Sequence, residues 1–456
     1  MTERPAAVGR AVDIALFGRP PVLPPDAHRP WPIISDDERS ALARVLDRGI
    51  LSGPFAPEAR TLEEEFASFV EAQHCLLSHC GTSALAMALG AAGVRAGDEV
   101  IVPSYSFVAT PLAVLQVGAL PVFADVERST GCLDPSAIEP ALTPHTRAVM
   151  PVHMHGCAAD MDAILRCARA HRLIVVEDAA QAHGAACGGR PVGALGDGGG
   201  FSLQSSKNLA AGEGGLFVTN DRAFAEEANS IRNFGQDLSV SDARGYAAAR
   251  PLDGSRTLDS RRIGSMYRGN EMMAAFARAQ LARLPERTAR CQRNAEKLSR
   301  ALAELPGVTP PAPPRGRTSV HHKYRVQIAP ERAGVSLDPA RFRDVVRRAL
   351  VAEGLEVVLW QDSPLPAQTV FQRRDASLGF PRAREGGTDL ALNYDPARYP
   401  QTRALLDGSL VLFSQSCPLI AQPDAVIDGY IEAFTRVWHH RTALAAWSER
   451  EALPPL

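Results

Sequence analysis

Residues 173–221 read LIVVEDAAQAHGAACGGRPVGALGDGGGFSLQSSKNLAAGEGGLFVTND. The β-branched run at 174–176 predicts a buried parallel strand that delivers Glu177 and Asp178 at its carboxyl end. Open α/β sheets bind their ligands at that end. Lys207 follows among serines, before a glycine-rich turn and a further apolar strand. The stretch therefore predicts a ligand site built from an acid, a lysine and small hydroxyl residues.

These residue types suit one cofactor in particular. Pyridoxal phosphate needs an amine that condenses with its aldehyde and an acid that keeps its ring nitrogen protonated. We predict Lys207 as the amine, because the chain has only two other lysines, Lys297 in a helical run and Lys323 in a strand-like run. Asp178 is the predicted acid, with Glu177 as the first alternative. A plain surface lysine is the competing interpretation, and the surrounding acid, hydroxyls and glycine turn favour the cofactor.

A phosphate site is predicted upstream. Gly81, Thr82 and Ser83 lie where a short strand breaks and a helix opens. Free backbone N–H groups, the helix dipole and two hydroxyl donors converge at such a junction. Plain N-capping by the hydroxyls is the competing interpretation. With a lysine site downstream, phosphate binding is the better one.

Size and composition limit the possible functions. The 456 residues predict more than one core: an N-terminal arm (1–35), a large domain (36–308) and a small C-terminal domain (309–456) after a proline-rich switch. A formal net charge of -2 provides no basic field for nucleic acid or a membrane surface. The eight cysteines show no metal-binding spacing, so we expect no metal site. With no signal-peptide pattern, these features predict a cytoplasmic protein.

The chain resembles the DegT/DnrJ/StrS aminotransferases, in VEDAAQAHGA, in GDGGGFSLQSSKNLAAGEGG and in the upstream HCGTSALAMALGAAGVRAGDEVIVPSYSFVAT. The resemblance covers nearly the whole chain. It implies the α/β fold of a fold-type I pyridoxal-phosphate-dependent transferase. That fold has a large domain, with a mixed and mostly parallel sheet flanked by helices, and a smaller C-terminal α/β domain.

The resemblance also implies roles for single residues. Gln181 is expected beside the hydroxyl of the cofactor ring. Phe107 is expected to stack on the ring, although a core phenylalanine is the competing interpretation. Ser202 is expected to join Thr82 at the phosphate.

A homodimer with sites shared across the interface is a further implication. In relatives, polar residues of an element matching SMYRGNE reach the neighbouring subunit's phosphate. Met266 stands where asparagine is usual, so we expect Arg268 or Asn270 to make this contact. The long polar loop at 236–262 is a candidate lid or specificity loop.

The resemblance implies L-glutamine or L-glutamate as the amino donor. A keto-cyclitol or free keto-sugar is the first-choice acceptor, in amino-sugar or antibiotic biosynthesis. A nucleotide-linked keto-sugar is the second choice. A dehydratase or oxidase on the same scaffold and a non-catalytic regulator are the competing functions. Lys207 argues against the dehydratase, because the family's dehydratases carry histidine at that position.

Overall fold

The computed structural model describes residues 12–53, 56–236, 259–375, 377, 379–381 and 393–450. Most of the predicted lid loop at 236–262 lies outside these residues.

In the described part of the chain, the strands are β1 (His74–Ser78), β2 (Glu99–Pro103), β3 (Leu120–Ala124), β4 (Thr146–Val149), β5 (Ile174–Asp178), β6 (Ala186–Cys187), β7 (Arg190–Pro191), β8 (Gly198–Ser202), β9 (Gly215–Thr219), β10 (Val308–Thr309), β11 (Tyr324–Ile328), β12 (Val357–Val358) and β13 (Ser409–Leu412).

Over the same residues, the α-helices are α1 (Asp36–Arg48), α2 (Pro57–Phe69), α3 (Gly81–Ala91), α4 (Ala109–Gln116), α5 (Met161–His171), α6 (Arg222–Arg232), α7 (Glu271–Ala303), α8 (Pro339–Ala352), α9 (Thr369–Arg373), α10 (Pro400–Asp407), α11 (Asp424–His439) and α12 (Arg441–Arg450).

Seven strands form the main sheet, in the order β1-β9-β8-β5-β4-β2-β3. The neighbouring strands β8, β5, β4, β2 and β3 are all parallel to one another. β9 runs antiparallel to both of its neighbours, β1 and β8. The sheet is therefore mixed and mostly parallel, as predicted. The carboxyl ends of β2, β4, β5 and β8 share one edge of the sheet, and the loops that follow them carry most of the predicted site.

Both faces of the main sheet are covered, because successive side chains of a strand point to opposite faces. Val175 of β5 packs in one hydrophobic cluster, which also holds Leu62 of α2 and Leu281 of α7. Val176 packs in a second cluster, which holds Leu85 of α3 and side chains of α4 and α6. Nearly continuous apolar strands are expected of a parallel sheet that is buried on both faces.

A second sheet, with the order β10-β11-β13-β12, is antiparallel throughout. It begins at Val308, one residue before the predicted start of the small domain. The predicted limits of the arm and the two domains stay a prediction. The arm packs on this C-terminal part: Leu23 N–H donates to the Glu353 carbonyl at 3.0 Å, and Trp31 N–H to the Ser416 carbonyl at 2.8 Å.

Helix α1 shows how closely local sequence can set an element. Ser35 caps its N-terminus, and Glu38 closes the capping box by accepting from the Ser35 N–H. Gly49 ends it with a φ of 71°, a backbone conformation that favours glycine. No helix within the described residues is both long and apolar enough to cross a membrane.

Candidate active site

Asp178 lies at the carboxyl end of β5 and is almost fully buried. The Thr110 hydroxyl donates to its Oδ2 at 2.7 Å, and the Ala180 N–H donates to its Oδ1 at 3.1 Å. Burial raises the pKa of the Asp178 carboxyl, and these two hydrogen bonds act against that rise. The carboxylate is thus held in a fixed orientation at the edge where the site was predicted.

Glu177 has a different environment from its neighbour. Its carboxylate is completely buried and accepts from His153 Nε2 at 2.9 Å. Three backbone N–H groups of the loop before β8 also donate to it, those of Gly193, Leu195 and Gly196. Its hydrogen-bonding capacity is used inside the protein, so Glu177 serves to hold this loop and Asp178 is the acid available to a ligand.

Lys207 is partly buried in the loop between β8 and β9. Its ammonium has no hydrogen-bond or ion-pair partner within the described residues. Burial lowers the pKa of Lys207 to about 8, and the nearby Asp178 carboxylate opposes this effect. A lysine with a lowered pKa is a better nucleophile at neutral pH, because more of it carries a free amine.

The backbone around Lys207 is tightly held. Its N–H donates to the Gln204 carbonyl, and its carbonyl accepts from Trp31 Nε1 at 3.0 Å. The Ser205 N–H donates to the Gly212 carbonyl at 2.8 Å, which closes the loop. The predicted serines and glycine turn thus act by shaping the loop that presents the amine.

The predicted phosphate segment forms the first turn of α3. A Cβ added at Gly81 would lie 2.8 Å from the Cβ of Ser202, so only glycine lets the helix start this close to the end of β8. Thr82 is partly exposed there. The Ser83 hydroxyl is buried: it donates to the Cys80 carbonyl at 2.8 Å and accepts from the Cys80 N–H at 3.3 Å, so it takes part in capping the helix.

Phe107 and Gln181 follow β2 and β5, whose carboxyl ends share one edge of the main sheet. Phe107 follows β2, and its ring is 54% exposed, which leaves it free to cover a planar ligand. Gln181 is buried, and its Oε1 accepts from the His155 N–H at 3.0 Å. Its amide nitrogen makes only a long contact of 3.9 Å among the described residues, to Met154 Sδ, and so retains donor capacity.

Arg268 and Asn270 line a cavity of about 530 Å³, which is also lined by Ser205 and Gly212 of the loop that carries Lys207. Asn270 caps α7, with its side-chain oxygen accepting from the Met273 N–H. Arg268 donates to Asn233 Oδ1 at 3.3 Å. Their contact with a second subunit stays a prediction.

Two buried histidines, His153 and His155, follow β4 and have different partners. β4 ends at Val149, and His155 has a φ of 57°, so His153 and His155 lie in a turn. His153 binds Glu177, whereas His155 contacts Tyr105 at 2.8 Å.

Further residues near the site were not predicted from the sequence. Thr110 orients Asp178 and lies three residues after Phe107, in the same turn, a spacing that could have indicated it. Lys323 and Arg325 are buried beside His155. They come from β11 and the residue before it, more than 100 residues later in the chain, so local sequence offered no signal for them.

Pyridoxal phosphate fits this arrangement. The cofactor requires an amine, an acid, an anion site for its phosphate and a surface for its ring. The described residues offer each of these: an amine without a partner among them, a buried carboxylate, a helix N-terminus packed closely against β8 and an exposed aromatic ring.

Comparison with known proteins also indicates an aminotransferase that uses pyridoxal phosphate. The profile of the DegT/DnrJ/EryC1/StrS aminotransferase family matches residues 32–386. The L-glutamine:scyllo-inosose aminotransferase of Streptomyces griseus is 38% identical, over 89% of this chain and 93% of its own. The L-glutamine:2-deoxy-scyllo-inosose aminotransferase of Streptomyces lividus is 36% identical, over 92% of this chain and 96% of its own.

A solved structure, that of 3-amino-5-hydroxybenzoic acid synthase, superposes with a TM-score of 0.75 at 30% identity, over 91% of this chain and 98% of its own. These matches confirm the predicted fold class, the aminotransferase activity and pyridoxal phosphate as the cofactor. The chain belongs to the DegT/DnrJ/EryC1/StrS aminotransferase family.

Proposed function

We propose that this enzyme transfers the amino group of L-glutamine to a keto-cyclitol of the inosose type, in the biosynthesis of an aminocyclitol antibiotic. The chemistry rests on one observation, the partly buried amine of Lys207 within electrostatic reach of the buried Asp178. The donor and acceptor rest on the two Streptomyces relatives, which match nearly the whole chain.

The described residues suggest how the cofactor is held. Gly81, Thr82, Ser83 and Ser202 would bind its phosphate at the N-terminus of α3, where N–H groups and the helix dipole favour an anion. Phe107 would cover one face of the ring. Gln181 would donate its amide N–H to the ring hydroxyl, because its amide oxygen is already bound by His155.

When bound, pyridoxal phosphate supplies a ring that accepts electrons from the donor's α-carbon. Asp178 holds the proton on the ring nitrogen, because its carboxylate is fixed by Thr110 and Ala180. With the donor amine bound in place of the lysine, Lys207 Nζ would accept the proton from the donor's α-carbon as a general base. As a general acid it would then pass that proton to the cofactor, and on the ketone it would carry out the same proton transfer in the reverse direction.

The assembly is also part of the proposal. A second copy of the chain would contribute Arg268 or Asn270 to the phosphate, and the site would be complete only in the homodimer. A cytoplasmic location is supported by the eight cysteines, all of which are free thiols.

The test is a pair of half-reactions followed by absorbance. L-Glutamine or L-glutamate is added to the purified holoenzyme, and the aminated cofactor form is then mixed with scyllo-inosose, 2-deoxy-scyllo-inosose or a nucleotide-linked keto-sugar. We expect L-glutamine and an inosose to react, and Lys207→Ala to abolish both steps. Lys297→Ala is the matched control. Turnover with only the nucleotide-linked sugar would replace the proposed acceptor by that sugar.

A further inference from the structure

Lys323 is a second buried lysine close to the site. It immediately precedes β11, and its side chain is 4% exposed. Its Nζ has no hydrogen-bond partner among the residues that the structure describes. Burial, together with repulsion by Lys207, lowers the pKa of Lys323 to about 8. Burying an ammonium group without a partner costs free energy of folding, which favours a ligand that pairs with it.

Lys323 lines a small cavity of about 30 Å³ together with His155, Arg325, Thr130 and other residues. No aspartate or glutamate is among the described residues that line it. Arg325 is buried as well, and its hydrogen-bond partners in the described structure are the neutral groups of Tyr105, His155 and Ser409. Two buried cations therefore border one cavity, and the described part of its wall supplies no compensating acid.

His155 adds a further donor to this wall. Its Nε2 accepts from Arg325 Nε at 3.1 Å, so the proton of the neutral ring lies on Nδ1. That Nδ1 atom is buried and has no partner in the described part of the chain. Two residues that line the cavity thus each carry an unsatisfied donor, Lys323 Nζ and His155 Nδ1, and a carboxylate has two oxygens that accept from such donors.

The cavity adjoins the cofactor site. The Lys323 N–H donates to the His155 carbonyl at 3.3 Å, and the His155 N–H donates to Gln181 Oε1. On the other side, Asn208, which follows Lys207, donates from its Nδ2 to the Val320 carbonyl at 3.0 Å. The segment that carries Lys323 is therefore packed directly against the loop that carries the reactive amine.

The chemistry of the proposed reactants identifies the anion. The keto-cyclitol is uncharged, and the cofactor phosphate has its own proposed site at α3. The α-carboxylate of L-glutamine is then the anionic group that lacks a partner. One water needs about 10–15 Å³, so the cavity has room for about two water-sized groups, which matches the two oxygens of a carboxylate.

We propose that Lys323, supported by His155 and Arg325, binds the α-carboxylate of the amino donor and thereby selects an amino acid for the first half-reaction. This inference rests on the proposed function, because it takes L-glutamine as the donor. It makes Lys323 a donor-specificity residue and predicts no role for it in binding the uncharged ketone.

The experiment compares Lys323→Met with Lys297→Met, whose lysine forms an exposed ion pair with Asp428. Each is combined with Lys207→Ala, loaded with pyridoxal phosphate and titrated calorimetrically. The two ligands are L-glutamine and 4-aminobutanamide, the same molecule without its carboxylate. We expect Lys323→Met to weaken L-glutamine binding about ten- to hundredfold, the scale of a buried charged hydrogen bond. Binding of 4-aminobutanamide should change less than about twofold.

Thermal unfolding of the holoenzyme supplies a second measurement. Removal of an unpaired buried charge should leave the Tm of Lys323→Met equal to or above that of the parent protein. Equal weakening of both ligands, or a marked fall in Tm, would assign Lys323 a structural role and overturn the inference.

The two proposals fail in different ways. If the wild-type holoenzyme takes no amino group from L-glutamine, the proposed donor and its carboxylate site both fall. If it does, and Lys323→Met does so with an unchanged KM, the donor stands and only the role of Lys323 is refuted.

Discussion

The carboxylates of Glu177 and Asp178 belong to consecutive residues of β5 and serve opposite faces of the main sheet. Glu177 lies on the face of Val175 and binds His153 and the loop before β8. Asp178 lies on the face of Val176 and binds Thr110 at the start of α4. Strand alternation therefore places two chemically similar groups on opposite faces, one in a structural role and the other in its proposed catalytic role.

Replacing Asp178 by asparagine should leave the fold intact and remove the charge that holds the ring proton. We expect Asp178→Asn to bind pyridoxal phosphate and to lose about a thousandfold in the rate of the first half-reaction. Stopped-flow absorbance with L-glutamine measures this rate. Near-normal turnover would mean that another acid protonates the ring.

Glu177→Gln should lower the stability of the fold and leave the cofactor site unchanged. A glutamine has one acceptor oxygen in place of two, so buried N–H donors of the loop before β8 lose their partner. Each such loss costs about 1–3 kcal/mol of the free energy of unfolding. Chemical denaturation of the holoenzyme measures that loss, and the cofactor absorbance spectrum of the folded variant should stay unchanged. A stable Glu177→Gln protein with an altered spectrum would contradict the structural role.

The covalent site can be located directly. Borohydride reduction should fix the cofactor on Lys207, and peptide mapping by mass spectrometry should find the adduct there. Lys207→Ala should lose the visible absorbance band, whereas Lys297→Ala should keep it. An adduct on Lys297 or Lys323 would show that the amine is misassigned.

The lowered pKa of Lys207 predicts a pH dependence. The neutral amine attacks the aldehyde, and with a pKa of about 8 in the folded protein the neutral fraction grows as pH rises toward 8 and levels off above it. At pH 7 about one lysine in ten is neutral, against about one in three thousand for an unshifted lysine. The rate of cofactor incorporation into the apoenzyme should therefore rise steeply up to about pH 8 and reach its plateau about one pH unit higher. A rate that still rises tenfold per pH unit at pH 9.5 would contradict the shift.

The lowered pKa of Lys207 also predicts how the free energy of unfolding depends on pH. Because the folded-state pKa of Lys207 lies below its unfolded value of 10.5, the unfolded chain binds more protons between about pH 8 and 10.5. The free energy of unfolding of the apoenzyme should gain from this lysine as pH rises through that window. Lys207→Ala should lack this gain, which denaturation at pH 7.5 and 9.5 would detect.

Shared sites in a homodimer can be tested by complementation. Lys207→Ala and Arg268→Ala should each be inactive, and mixing them should restore part of the activity, because one hybrid site contains both side chains. Subunit exchange is verified in parallel by native mass spectrometry. Proven exchange without any recovery, or a fully active monomer, would exclude the shared site.

Much of this protein follows from local sequence. The strand ending in Glu177 and Asp178, the loop with Lys207, the helix start at Gly81 and the limits of α1 are all set by neighbouring residues. Capping, apolar runs and glycine turns act over a few positions, so they can be predicted from the chain alone.

Tertiary structure decided what distant segments contribute. Thr110 reaches Asp178 from another strand end, and the turn after β4 brings His155 to Arg325 of β11. The sequence around Lys323 does not show that its ammonium is buried and has no hydrogen-bond partner among the described residues, because the tertiary structure decides both. The pKa of a side chain and the partners available to it depend on everything packed around it, and that environment is assembled from residues more than 100 positions apart.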